Sequence, residues 1–237
     1  MIYVTSDLHG CDPERFYALL EKAAFGQQDF LFVLGDVIDR GDHGVTLLRW
    51  MMDQTNVQLL MGNHEALFLS CLFAFQPVTE ESLSQLSNRQ LERFELWLRN
   101  GGGSTVEALK KLLKEEPDVF ECLVDYIRDA PLYDLVEAGG QQFALVHGGL
   151  DRFSPDKTLD DYGASDILWA RPTPMTRYYD HMRVIFGHTP TQFLSMASKA
   201  RAYHTDTWTC IDTGAACGDF PMLLRLDDMC EFYADEA

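Results

Sequence analysis

The sequence predicts an α/β fold in which central β-sheets are flanked by helices, with a mostly helical insertion at about 64–130 and a single domain over 1–237. Three observations predict it. Short apolar runs alternate with helical stretches through the first 65 residues. Further strand-like runs with short connections fill the C-terminal part. Five apolar runs end on Asp, Asn or His, mostly with glycine adjacent, as strands of an open α/β sheet do where they hold a ligand.

The elements follow in order. Ile2–Thr5 reads as a strand, and Pro13–Phe25 as a helix with Phe16, Leu19, Leu20 and Ala23 on one face. Phe30–Leu34 is a second strand, His43–Asp53 a helix and Val57–Met61 a third strand, a βαβ alternation that demands helices against a sheet. Gly101-Gly102-Gly103 breaks the helical stretch, and Ser104-Thr105-Val106-Glu107 reads as a capping box opening the next helix. Tyr133–Val136, Phe143–Val146, Val184–Phe186, Trp208–Ile211, Met222–Leu226 and Cys230–Tyr233 read as strands.

Composition narrows the function. The net charge is −18, from 37 acidic against 19 basic residues, so the surface repels nucleic-acid phosphates and anionic membranes, and no nucleic-acid or membrane partner is expected. Six scattered cysteines without a CxxC pair fit reduced thiols. No signal segment or membrane-length apolar run is seen, and a cytoplasmic protein is expected.

The strand ends carry the chemistry. The first delivers Asp7 and His9, the second Asp36, the third Asn63 and His64, and the last two His147 and His188. Asp7, His9, Asp36, Asn63, His147 and His188 form a set of oxygen and imidazole donors without thiolate, which suits Mn, Fe or Zn. Six ligands are too many for one tetrahedral ion with an open position, and suit two ions sharing a carboxylate. Two divalent ions with Asp7, Asp36 and a bridging hydroxide sum to +1, so the centre attracts a phosphate despite the acidic surface. Arg40, after Asp39, is the natural clamp for phosphate oxygens. A lone strand-end Asp is usually a turn former or cap, and a lone His usually packed; five in one chain are not.

Ser6–Gly10 (SDLHG), Gly35–Gly41 (GDVIDRG), Gly62–Glu65 (GNHE), His147–Gly149 (HGG) and Gly187–Pro190 (GHTP) resemble the signature of the PPP-type, calcineurin-like metallophosphoesterases. The match is to the shorter bacterial and bacteriophage branch typified by the lambda phosphatase. Trp97–Gly103 and Ile211–Gly214 also look like that branch. The resemblance implies a metallophosphoesterase sandwich with two divalent ions, Mn²⁺ by preference. Asp7, His9 and Asp36 would hold the first; Asp36, Asn63, His147 and His188 the second. It further implies His64 as general acid, Asp39 as the carboxylate orienting it, and Arg40, Arg171 and Asn63 as phosphate-binding groups.

Diadenosine tetraphosphate hydrolases of this family usually replace the Asp equivalent to Asp39 and carry Asp after GNH, whereas Asp39 and Glu65 are of the phosphatase type. The expectation is therefore a phosphoprotein phosphatase acting on phosphoserine and phosphothreonine, with some phosphotyrosine activity, and with phosphoproteins or phosphopeptides as partners. The alternatives are a dinucleoside polyphosphate or other nucleotide phosphoesterase and, in another class, an inactive metal-holding module.

Overall fold

A computed structural model describes residues 1–77, 79–80, 86–195 and 200–234. Two five-stranded mixed sheets pack face to face with helices outside. The first has the order β10-β9-β1-β2-β3, from β1 (Ile2–Thr5), β2 (Phe30–Val33), β3 (Val57–Leu59), β9 (Met222–Arg225) and β10 (Cys230–Tyr233). The second has the order β4-β5-β6-β8-β7, from β4 (Tyr133–Ala138), β5 (Gln141–Val146), β6 (Arg183–Phe186), β7 (Tyr203–His204) and β8 (Trp208–Cys210). The pair Tyr203–His204 carries no apolar alternation of its own, and the sequence gives no sign of it as a strand.

Alternation along each strand divides the interior into three cores. Val4, Phe32, Phe143, Leu145, Ile185 and Leu224 fill the space between the sheets. Tyr3, Leu31 and Val33 turn the other way, onto α1 (Pro13–Lys22), α2 (Gly44–Met52), α3 (Asn63–Ser70) and the helices of the insertion. Ala144, Val146, Val184 and Phe186 face the loops beyond the second sheet.

The expected helical stretch at 64–130 is present in α3, α4 (Asn88–Arg99), α5 (Gly103–Glu115) and α6 (Pro117–Arg128), while residues 78 and 81–85 lie outside the described residues. Two local expectations differ. α1 stops at Lys22 rather than Phe25, because Ala24 turns left-handed (φ 54°). Phe25 N–H then donates to Leu20 O and Ala24 N–H to Glu21 O, the paired closure of a Schellman end. The capping box at 104–107 does not form either; Gly102 caps α5 without a side chain. The Ser104 hydroxyl instead donates to Gly41 O, and the Thr105 hydroxyl accepts from Asp39 N–H.

Parallel pairing sets the site. β1, β2 and β3 run parallel with Thr5, Val33 and Leu59 in register, and β5, β6 and β8 likewise align Leu145 with Ile185 and Phe186 with Cys210. Two sets of carboxyl-terminal strand ends are thus brought level. Among the described residues no helix is long and apolar enough to cross a membrane.

Candidate metal centre

All six sequence-derived ligands, Asp7, His9, Asp36, Asn63, His147 and His188, are buried at these strand ends. The turns delivering them are forced. Six of the nine non-glycine residues with positive φ among the described residues are Asp7, His9, Asp36, Asp39, Arg40 and His188. Each left-handed L-residue costs on the order of 1–2 kcal/mol, which the surrounding bonds must offset. Gly187 is required because a Cβ there would overlap the Ser6 hydroxyl and Asp7 Oδ2. Gly62 is required because one there would overlap Asp36 N and Oδ1.

Three histidines are oriented by one device. Nδ1 lies 3.1 Å from Ile38 O in His9, 2.6 Å from Asp39 Oδ2 in His64 and 2.6 Å from Leu34 O in His147. Each oxygen takes the Nδ1 proton and leaves the Nε2 lone pair directed at the centre. There all three meet one carboxylate: Asp36 Oδ2 is 3.6 Å from His9 Nε2 and 3.7 Å from His64 Nε2, and Asp36 Oδ1 is 3.4 Å from His147 Nε2. His147 Nε2 is also 2.8 Å from Asn63 Oδ1. On the far side, Asp7 Oδ1 is 3.8 Å from His9 Nε2, while its Oδ2 accepts from the Ser6 hydroxyl and from His188 N–H at 2.8 Å.

Electrostatics matches the geometry. Burial lowers the pKa of His9 and His64 to about 3 and of His188 to about 2, so the imidazoles are neutral donors at pH 7. Burial raises Asp36, and the charges of Asp7 and Glu65 raise it further. The His64 N–H and the Arg40 charge offset this only in part.

The residues present fit divalent cations. His188 Nε2 is buried without a partner. Lone pairs of His9, His64 and His147 face carboxylate oxygen with no proton between them. Two ligand groups lie close together, His9, Asp36 and His64 in one and Asp36, His147 and His188 in the other, sharing Asp36. The shared carboxylate is the one expected to bridge. The first group includes His64, expected as the acid rather than a ligand.

The phosphate-side residues also gather here. Arg40 Nη2 is 3.2 Å from His64 Nε2. Arg171 Nη1 donates to Thr189 Oγ1 at 3.2 Å and to His188 O at 3.4 Å. Both arginines are exposed at the rim.

Sequence reasoning missed the supporting roles of Trp97, Thr105 and Asp212, and named Glu65 only as a family marker. Trp97 Nε1–H donates to Asp39 Oδ2 at 2.8 Å, and Thr105 holds the Asp39 backbone. These bonds oppose the burial that raises Asp39 to a pKa of about 6. Fully buried Glu65 accepts the N–H groups of Asp36, Val37 and Ile38 at 2.8, 2.9 and 3.3 Å. Asp212 follows β8, is buried and is raised well above the ordinary carboxylate range, first by burial and then by Asp7. The strand-end rule that found Asp7 finds Asp212 too, because Trp208–Ile211 delivers it. Trp97 and Thr105 lie on helices far along the chain, where no local pattern marks them.

Comparison with known proteins places this geometry. A curated symmetrical bis(5'-nucleosyl)-tetraphosphatase of Haemophilus ducreyi is 27% identical over 81% of this chain and 59% of its own length. The chain thus spans little more than half of that relative. A symmetrical bis(5'-nucleosyl)-tetraphosphatase of Glaesserella parasuis is 26% identical over 95% of this chain and 94% of its own. Among solved structures, a putative diadenosine tetraphosphatase superposes with a TM-score of 0.64, at 15% identity over 97% of this chain and 90% of that one.

These relatives overturn the expectation of a phosphoprotein phosphatase. The five motifs are expected to supply metal ligands and phosphoryl contacts, which would serve any phosphoryl group whatever it is attached to. Asp39 and Glu65, expected as phosphatase markers, bond here to His64, Trp97, Thr105 and the 36–38 backbone. They shape the centre and do not select what lies beyond the phosphate. Residues 1–214 match the calcineurin-like phosphoesterase model, and with two sheets delivering one buried donor set the chain belongs to that family.

Proposed function

We propose that the chain is a metal-dependent hydrolase of dinucleoside polyphosphates, cleaving a phosphoanhydride bond between two nucleosides. The supporting observation is Asp36 shared between two imidazole clusters, with Arg40 and Arg171 at the rim, taken with the names of the curated relatives. Symmetrical cleavage of a four-phosphate chain yields two nucleoside diphosphates.

Asp7, His9, Asp36, Asn63, His147 and His188 would hold two divalent ions, with Mn²⁺ the first to test. When bound, such ions neutralise phosphoryl oxygens and make water nucleophilic near neutral pH. The chain's own residues do the rest. Arg40 and Arg171 bind phosphoryl oxygens and steady the charge that builds as the bond breaks. His64 holds its Nδ1 proton against Asp39 and directs Nε2 to the reacting phosphate. Arg40 helps keep that ring neutral. An arriving polyphosphate draws the guanidinium away and its negative charge favours the imidazolium, so Nε2 can take up a proton from solvent and pass it to the departing oxygen.

The test is incubation of the Mn²⁺-supplemented protein with diadenosine tetraphosphate, followed by chromatography. ADP as the principal product supports the reading. AMP with ATP would contradict symmetrical cleavage, and an untouched substrate beside a hydrolysed p-nitrophenyl phosphate would contradict the substrate class.

A further inference from the structure

Of the four tryptophans, Trp97 and Trp208 are fully buried and Trp50 is half-buried, but Trp169 keeps 41% of its surface exposed. Its place is fixed. Ile167 and Leu168 before it and Ala170 after it are buried, so the backbone carrying the indole is anchored at the rim. Its ring meets the His188 imidazole edge to face, with centroids 5.9 Å apart and planes at 87°. Two residues on, Arg171 Nη1 donates to the His188 carbonyl and to the Thr189 hydroxyl. The indole and a guanidinium thus both lie against His188.

We propose that Trp169 is the stacking platform for one nucleobase of the substrate, an inference that rests on the dinucleotide reading. A base lies a ribose and a short phosphate run from the phosphorus under attack, so a flat apolar ring beside the metal-facing histidine is within its reach. The net charge of −18 repels a polyphosphate at long range, so affinity must come from short-range contacts. Stacking on an uncharged base is one that the acidic surface does not oppose. An exposed indole forgoes burial that Trp97 and Trp208 achieve, and a stacked base restores it on binding.

Two measurements on the full chain decide it. In steady-state kinetics with Mn²⁺, Trp169→Ala should raise KM for diadenosine tetraphosphate about 5- to 100-fold, the range base–aromatic stacking supplies, with kcat nearly unchanged. Inorganic tripolyphosphate, which has no base, should be hydrolysed as by the wild type, and Trp169→Phe should recover most of the loss. Equal losses on both substrates would make Trp169 a packing support for His188 and overturn the proposal, as would no loss on the dinucleotide. Separately, ADP should quench an indole emission that Trp169→Phe lacks, and pyrophosphate should not. If the wild type leaves diadenosine tetraphosphate intact, the dinucleotide reading fails, and the quenching still decides the stacking: present with ADP it stands, absent it falls.

Discussion

The His64 imidazole and the Asp39 carboxylate form a closed pair: Nδ1 lies 2.6 Å from Oδ2, and Trp97 donates to that same oxygen at 2.8 Å. Both residues are buried, with the His64 Nε2 turned toward Asp36. Asp39 thereby fixes which nitrogen of His64 faces the centre.

The leaving group decides how much this pair matters. His64→Asn should lower kcat by about 10²–10⁴ on an alkyl phosphate, whose alkoxide needs a proton. The loss should be smaller on diadenosine tetraphosphate, because a nucleoside diphosphate departs more readily as an anion. Asp39→Asn should follow the same order with smaller losses. Parallel kcat measurements on both substrates check this, and an equal loss on the two would deny His64 the acid role.

Glu65 ties the third strand end to the second through three N–H groups. Glu65→Gln puts an amide NH₂ where one oxygen accepted those donors. The unpaired buried groups should cost about 1–3 kcal/mol, lowering Tm by several degrees. Calorimetry with and without Mn²⁺ checks it, and the metal-bound form should lose more because Asp36 is displaced. An unchanged Tm would mean that the 36–38 turn holds itself.

The buried histidines of the metal-free protein should contribute a loss of stability in acid. His9 and His64 titrate near 3 and His188 near 2, against 6.5 for a free imidazole. Between those values the unfolded chain binds protons that the folded chain does not, so stability rises with pH across the window. The contribution is complete above about pH 6.5 and is lost toward pH 3. The buried carboxyls Asp36, Asp39, Glu65 and Asp212, all raised, act in the opposite sense, so the histidine part is read by difference: chelator-treated His188→Asn should lose less Tm between pH 7.5 and pH 5 than the wild type. An equal loss in the two would show that water reaches this ring.

Ala24 closes α1 in the left-handed region at φ 54°. Ala24→Gly removes the Cβ strain and should stabilise the fold by about 0.5–1 kcal/mol, a rise in Tm of a few degrees. Denaturant or thermal melts check it; a fall in Tm would mean that the flexibility gained by the unfolded chain outweighs the relief.

By itself the sequence determined the α/β fold, the helical stretch and the residues that meet at the centre. Strand runs and the polar residues ending them are local, and period-two alternation with an adjacent glycine needs no knowledge of distant segments. The tertiary structure decided the rest. Only packing of two sheets shows that Asp36 is shared by His9, His64 and His147, that Trp97 and Thr105 reach Asp39, and that Ser104 and Thr105 bind a distant loop instead of capping their own helix. Those contacts join residues 27 to 111 positions apart. A local pattern cannot encode a partner chosen by the folding of everything between.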